Sequence, residues 1–463
     1  MTATDRLAPV LDRLEADEAA ALDRLLALLR IPSISTDPAH AADCAAAAEA
    51  LAADLRSMGA EAEVRATPGR PMVTGRIGPA EGAPHVLFYG HYDVQPVDPV
   101  ALWHRDPFDP AVEETPAGPV IRGRGASDDK GQLMTFVEAC RAWTAVHGAA
   151  PCRITFLFEG EEESGSPSLV PFLRENTDEL EADFALICDT GLLTDDAPAV
   201  VTTLRGLTGE EVTITGPSLD LHSGMFGGAA ANPARALARA IAGLHDEDGR
   251  VTLPDFYDGV PEVPEEILES WRATPFDPDA FLREVGLSVP AGEAGRSLLE
   301  MVWARPTCEV NGIASGYAGP GFKTVLPSKA TAKISFRLVG DQDPEAIREA
   351  FRAHVRASIP ADCTAEFVAH GGARASRMPV DLPAMARVRE ALSEEWPHEA
   401  AFIGSGGSIP IAGHFLEELG MPSILTGFGR DDDAIHSPNE KYDVRSFTKG
   451  ARSWARILDA LTA

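Results

Sequence analysis

Apolar positions recur along the chain with two spacings, and their alternation divides it into three stretches. Residues 4–30 carry a helical period that ends before Ile31-Pro32, and the Ala-rich run 41–58 predicts a second helix that Gly59 closes. Short strands are predicted near 61–66 and 72–77, and a third at 85–90 runs into His91. A helix follows from Gly131 to about His147, then a strand at 152–158, a short helix near 167–175 and the strand 183–188. Strands alternating with helices predict a mostly parallel α/β sheet. In such sheets functional groups collect beyond the carboxyl ends of the strands.

The texture changes near Arg205-Gly206. Residues 210–215, EEVTIT, alternate like a half-exposed strand, and a helix at 232–245 and a Pro-rich acidic stretch at 253–295 follow. Strands at 308–314 and 330–338, a helix at 344–357 and a strand at 364–369 complete a small α+β set. From about 380 the α/β texture returns, with helices at 382–395, 409–419 and 444–462 and a strand at 422–426. The chain is thus expected to fold as one large domain in two parts, 1–206 and 380–463, interrupted by a smaller α+β domain at 207–379. A length of 463 residues is consistent with more than one core.

Charge narrows the function. Asp plus Glu total 71 against 40 Lys plus Arg, a net −31, and a surface this acidic repels nucleic acid and anionic membrane. No run of about 18 uncharged apolar residues is present, so no membrane-spanning segment is expected. The charged N-terminal segment reads as amphipathic helix and not as a signal peptide, which points to the cytoplasm. The six cysteines show no C-x-x-C spacing and read as reduced, buried small hydrophobes.

Within that acidic background, a few carboxylates stand out by position. His91 and Asp93 lie just past a strand-like run, and Asp93, two residues on, can accept a hydrogen bond from the back of the His91 ring. Asp128 and Asp129 are adjacent between glycines, and two neighbouring carboxylates repel unless cations hold them; a carboxylate bridging two metals would account for one of them. Glu161, Glu162 and Glu163 follow the apolar run ITFLF, so neighbouring glutamates can divide the roles of metal ligand and general base. Asp189 ends FALICD, and His436 in RDDDAIHSPNEK offers a second imidazole. Taken singly, each of these also fits a solvated turn or a cap; it is their shared placement after apolar runs that suggests a metal site.

The motifs HYDVQP, GRGASDDKG, GEEESGS, DLHSG, GGSIP and AIHSPNEK, in that order and spacing, resemble the two-metal exopeptidases. That family includes carnosinases, cytosolic and bacterial dipeptidases, aminoacylases and succinyl-diaminopimelate desuccinylases. RPTCEVNGIASGYAGPGFKTVLPSKA and FRLVGDQDP extend the likeness to the carnosinase-like dipeptidase branch over nearly the whole chain. The resemblance implies His91 and Asp189 on one metal, Glu163 and His436 on the other, and Asp128 bridging them through a cis Asp128–Asp129 peptide. It implies Glu162 as general base and Asp93 as the residue orienting His91. The smaller domain would be a lid that also pairs two subunits, with His222 reaching the partner's active site. Thr324 and Arg337 would hold the substrate carboxylate, and Gly407 and Ser408 would line its pocket. Where the branch usually has Arg-Glu before Gly-Gly-Ser-Ile-Pro, this chain has Gly404 and Ser405.

The expectation is therefore a homodimeric, cytoplasmic two-metal hydrolase cutting a peptide bond beside a free carboxylate. Two imidazoles with carboxylates suit Zn²⁺ first, and also Mn²⁺ or Co²⁺. An N-acyl-amino-acid amidohydrolase is the alternative within the class. A homologue retained only as a binding module is the alternative outside it, and would be favoured by loss of Glu162 or a ligand; none is lost. A two-metal phosphoesterase fits less well, given the Glu162–Glu163 pair and the carboxylate-binding candidates.

Overall fold

The computed structural model describes residues 3–79, 83–407 and 409–462. The chain divides into two compact units, one of residues 1–202, 378–403 and 414–463 and one of residues 203–377 and 404–413. The breaks fall a few residues from those expected from the sequence, but the segment 404–413 groups with the smaller unit instead of with the C-terminal part of the larger.

The larger unit is built on a sheet whose strands run in the order Glu61–Arg65, Met72–Ile77, Arg153–Glu159, His85–His91, Phe184–Ile187, Ser423–Leu425, followed by Ala199–Leu204. The strands from Arg153–Glu159 to Ser423–Leu425 are parallel, whereas Met72–Ile77 and Val201 pair antiparallel on either side. The sheet is therefore mixed: a parallel centre is flanked by antiparallel pairs, Glu61–Arg65 with Met72–Ile77 and Met72–Ile77 with Arg153–Glu159 on one side and Val201 with Leu425 on the other. Four of its strands are almost wholly buried apolar runs, as a sheet covered on both faces requires.

Register brings the strand ends together. His91 lies opposite Glu159, and Tyr89 lies opposite Ile187 in the next strand. The helix Lys130–His147 starts directly after Asp129 and packs its Phe136 flat on Phe88, ring centroids 3.8 Å apart, with Trp454 edge-on to both. Its second residue has to be glycine, since a Cβ on Gly131 would lie 1.9 Å from the Ala126 carbonyl oxygen. The helix expected over 4–30 is two, Ala3–Ala16 and Glu18–Leu29, broken at Asp17. The strands Ala111–Thr115 and Gly118–Arg122, joined in a three-stranded sheet with Lys441–Asp443, were not anticipated.

The smaller unit carries an antiparallel sheet in the order Thr307–Ser315, Lys329–Leu338, Gly206–Thr215, Thr364–Ala373. Gly206–Thr215 alternates buried and half-buried positions throughout. Helices Pro233–Ala242 and Pro344–Ser358 cover it, each opened by a capping side chain, Asn232 or Asp343, and a proline in the first turn. Val212, Ile214, Leu237, Ile334, Phe336 and Phe351 form the core between them. The Pro-rich stretch holds two short helices, Glu265–Arg272 and Pro278–Glu284. All six cysteines are free and buried.

Candidate metal centre

Five chain segments deliver side chains to the carboxyl end of the parallel strands. His91 is the last residue of its strand, and Asp189 lies two residues past Ile187. Asp128 precedes the helix Lys130–His147, across a cis Asp128–Asp129 peptide. Glu162 and Glu163 open the single turn Glu162–Ser164 after the strand Arg153–Glu159. His436 comes from the loop before Lys441–Asp443 and has a left-handed backbone, φ 61°.

Two groups of potential ligand atoms result, His91 with Asp128 and Asp189, and Asp128 with Glu163 and His436. Asp128 belongs to both. Its Oδ1 is 3.0 Å from His91 Nε2 and its Oδ2 is 2.8 Å from His436 Nε2. His436 Nε2 is also 3.2 Å from Glu163 Oε2, and His91 Nε2 is 4.0 Å from Asp189 Oδ2. His91 is 1 % exposed, and its Nε2, despite the short approach to Asp128, lacks hydrogen-bond geometry to any partner among the described residues. A buried imidazole nitrogen left unpaired and aimed at two carboxylates is what a divalent cation would satisfy, so the donor set fits two cations sharing one carboxylate.

The electrostatics are those of a buried, carboxylate-rich site. Burial opposes protonation of His91, but the Asp128 and Asp93 carboxylates outweigh it and hold its pKa well above the ordinary imidazole value. The Asp128 and Glu163 carboxylates raise His436 to about 10. Burial pushes Asp189 well above the usual carboxyl range, and the Asp128 charge adds to it. Burial likewise lifts Glu162 to about 7, with His91 opposing and Glu163 and Asp128 reinforcing.

Asp93 faces the His91 ring and also makes contacts that its spacing from His91 does not indicate. Its carboxylate accepts the Glu162 and Glu163 main-chain N–H groups, at 3.2 and 3.0 Å. Toward His91 Nδ1 its main-chain oxygen, at 3.2 Å, is closer than its carboxylate, at 3.5 Å. Asp129 accepts the His91 N–H at 3.1 Å, and Gln95 donates to Glu163 Oε2 at 2.7 Å. A third acidic group, Asp432, Asp433 and Asp443, is not vacant: Lys441 Nζ lies 2.8, 2.9 and 2.8 Å from its carboxylates.

In the smaller unit, Leu221–His222 pairs with Val325–Leu326, and the Ser223 N–H donates to the Thr324 carbonyl oxygen, which puts His222 and Thr324 side by side. The Gly224 N–H donates to His222 Nδ1 at 3.0 Å, so an unprotonated His222 carries its hydrogen on Nε2 and can donate from there. Arg337 lies in the strand Lys329–Leu338, opposite Leu207, and burial lowers its pKa. Gly407 accepts the Arg205 main-chain N–H, while Ser408 lies outside the described residues. Sequence reasoning passed over Arg205, whose Nε donates to the Gly406 carbonyl oxygen at 3.0 Å. Burial and the neighbouring Arg337 lower Arg205 to about 10.

The model of peptidase family M20/M25/M40 matches residues 87–460, and the chain belongs to that family. It is similar to the Cys-Gly metallodipeptidase DUG1 of Saccharomyces cerevisiae, 31 % identical over 399 residues covering 84 % of this chain and 81 % of the relative. The human Beta-Ala-His dipeptidase is 28 % identical over 405 residues, covering 84 % and 77 %. Among solved structures, the M20 family metallo-carboxypeptidase Sso-CP2 of Sulfolobus solfataricus superposes with a TM-score of 0.84 at 30 % identity, covering 96 % of this chain and 99 % of that one.

Proposed function

We propose that this M20/M25/M40 peptidase is a two-metal dipeptidase that hydrolyses a peptide bond next to a free carboxylate. The observation that carries the reading is the sharing of Asp128 between His91–Asp189 and Glu163–His436. His91 and Asp189 would hold one cation, Glu163 and His436 the other, and Asp128 both. Bound there, the pair of cations supplies Lewis acidity toward the scissile carbonyl and lowers the pKa of the attacking water.

The chain's own residues do the rest. Glu162 makes none of the close approaches that bring Asp128, Glu163 and His436 together and stands beside them, where its carboxylate takes a proton from the attacking water and passes it to the leaving amine. Asp93 fixes the turn that carries Glu162 and Glu163, and so separates base from ligand. His222, with hydrogen on Nε2, stabilises the oxyanion from a second copy of the chain, which makes the working unit a homodimer joined through the smaller unit. Thr324 and Arg337, with Gly407 and Ser408, hold the substrate carboxylate. The dipeptidase names of the relatives DUG1 and Beta-Ala-His dipeptidase support the substrate class, and Zn²⁺ is the metal of first choice, ahead of Mn²⁺ and Co²⁺. A cytoplasmic location goes with the reading; no helix among the described residues is long and apolar enough to cross a membrane.

A second reading, cleavage of N-acyl amino acids, is favoured by one observation. Ser405 stands where a Glu is usual, and its hydroxyl is occupied in accepting the Gly407 N–H at 3.2 Å. A panel of dipeptides and N-acyl amino acids, assayed on metal-free protein supplemented with Zn²⁺, Mn²⁺ or Co²⁺, tests both. Turnover of neither substrate class with any metal would refute the function proposed.

A further inference from the structure

The geometry points to Glu440 as the positioning residue that aims Asp128, so that one buried carboxylate outside the ligand set governs both cation positions. Glu440 is wholly buried, and four donors converge on it. Its Oε1 accepts the main-chain N–H groups of Ser127, at 2.9 Å, and Asp128, at 3.1 Å. Its Oε2 accepts the Gly125 N–H at 2.9 Å and Arg124 Nη1 at 2.8 Å. The Gly123 N–H donates to the Glu440 main-chain oxygen at 3.1 Å, so the whole segment 123–128 is wrapped around this one residue.

That arrangement does more than neutralise Arg124. A buried guanidinium is paired by one oxygen; here the other oxygen is spent on the two peptides that immediately precede and carry the Asp128 side chain. Glu440 also belongs to the loop that supplies His436, and the next residue, Lys441, enters the strand paired with Gly118–Arg122. It therefore stands where the segment bearing the shared carboxylate meets the segment bearing the exposed imidazole. A second tie, Ser127 Oγ to Asp433 Oδ2 at 2.7 Å, joins the same two segments, but it does not bind the Asp128 main chain. A bidentate carboxylate with four charge-assisted hydrogen bonds is a stiff anchor, and an amide in its place must turn an NH₂ toward two N–H donors.

The inference rests on the two-metal reading above, and the experiment separates the two. Zn²⁺ binding to metal-free protein is measured by calorimetry, and Co²⁺ absorption spectra are recorded, for the parent, Glu440→Gln, Glu440→Asp and Asp433→Asn. The parent is expected to bind two ions. Removal of an outer partner of this kind typically weakens metal affinity about 10–100-fold. Glu440→Gln is expected to weaken both positions to that extent and to alter the Co²⁺ spectrum, and Glu440→Asp, which keeps the charge but cannot reach all four donors, to show a smaller effect of the same kind. Asp433→Asn should weaken only the position that uses His436. Thermal unfolding of each variant accompanies the titration, because a purely structural role would lower the melting temperature and leave both affinities at the parent value. That result, in either folded Glu440 variant, overturns the inference, as does weakening confined to one position. Should Glu440→Gln not fold, Glu440→Asp decides alone. A parent that binds no metal at all would instead remove the two-metal reading, and this inference with it.

Discussion

The Asp93 carboxylate receives the main-chain N–H of Glu163 at 3.0 Å, and of Glu162 at 3.2 Å, so a residue two positions past His91 sets the geometry of the acidic turn on the neighbouring strand. The same residue faces the His91 ring with its main-chain oxygen at 3.2 Å. One residue thus ties the histidine of one ligand group, through its main chain, to the glutamate of the other, through its carboxylate. Asp93→Asn keeps the size but offers only one acceptor to two donors. Activity is expected to fall about 10–100-fold, as for other partners lying just outside a metal's ligands. Steady-state kinetics at saturating metal read it, and unchanged kcat in the Asn variant would mean the turn holds its shape without this anchor.

Glu162→Gln should lose about 10²–10⁴-fold in kcat, the usual contribution of a positioned general base. Both metals should remain bound, because Glu162 belongs to neither group of potential ligands. Metal content measured alongside turnover decides the matter: a variant that loses a metal would make Glu162 a ligand and leave the base unidentified.

Metal binding should be coupled to protons with a definite sign. In the metal-free protein the Asp128 and Glu163 carboxylates hold His436 up to about 10, and His91 is raised as well. The stabilisation from a protonated imidazole in that setting is complete below the unfolded value of about 6.5 and is lost as pH rises through the folded value. A cation at the same place needs neutral imidazole, so its binding near pH 7 expels these protons. Zn²⁺ affinity, and the rise in melting temperature it produces, are expected to increase from pH 6 to pH 8. Calorimetry in buffers of different ionisation enthalpy counts the protons released; a binding enthalpy independent of buffer would show that the imidazoles are already neutral.

His222→Ala should cost about 10²–10³-fold in kcat if its Nε2–H donates to the developing oxyanion. Mixing Glu162→Ala and His222→Ala subunits should then recover part of the activity, because one site in each mixed dimer keeps both residues. Demonstrated subunit exchange without recovery would place the action of His222 within its own chain.

What the sequence disclosed and what it hid follow from the range of each interaction. That His91, Glu162, Glu163 and Asp189 come after apolar runs is a local property, and the parallel register turns it into proximity. The direction of strand pairing is not local, which is why the antiparallel flanks of the main sheet went unread. Ala111–Thr115 and Gly118–Arg122 escaped notice because their partner strand, Lys441–Asp443, lies at the other end of the chain. Glu440 was invisible for the same reason: three of the four donors to its carboxylate are main-chain groups 312–315 positions away, and a main-chain N–H leaves no mark on residue type. The placing of Asp93 beside His91 follows from local spacing, whereas the shorter bonds of its carboxylate go to the Glu162 and Glu163 N–H groups, 69 and 70 positions away in the turn after the neighbouring strand.

The amino end of the substrate gives the last prediction. A Cβ on Gly404 would meet Trp303 Cβ at 2.6 Å and Thr203 Oγ1 at 2.9 Å, so the strand Ala401–Ser405 admits no side chain there. Ser405, where a Glu is usual, carries no charge, and its oxygen already accepts the Gly407 N–H. Of the candidate counter-ions Asp431, Asp432 and Asp433, the last two are both engaged by Lys441 Nζ, which leaves them poor partners for a substrate ammonium, and Asp431 is not free either. An ammonium enclosed without a partner costs on the order of 2–5 kcal/mol, about 30- to 4,000-fold in affinity. A dipeptidase lacking that partner must leave the amine in contact with water, and it should then discriminate weakly between a dipeptide and its N-acetyl form. The expected ratio of kcat/KM for the two is within about tenfold, since water replaces most of the missing hydrogen bonds. Ser405→Glu should shift the ratio toward the free amine by about tenfold or more, as one charged hydrogen bond of about 1.5–3 kcal/mol requires. Cleavage of the acetylated form alone would overturn the dipeptidase assignment in favour of an N-acyl-amino-acid hydrolase, and an unmoved ratio in Ser405→Glu would show that the amine is read at some other residue.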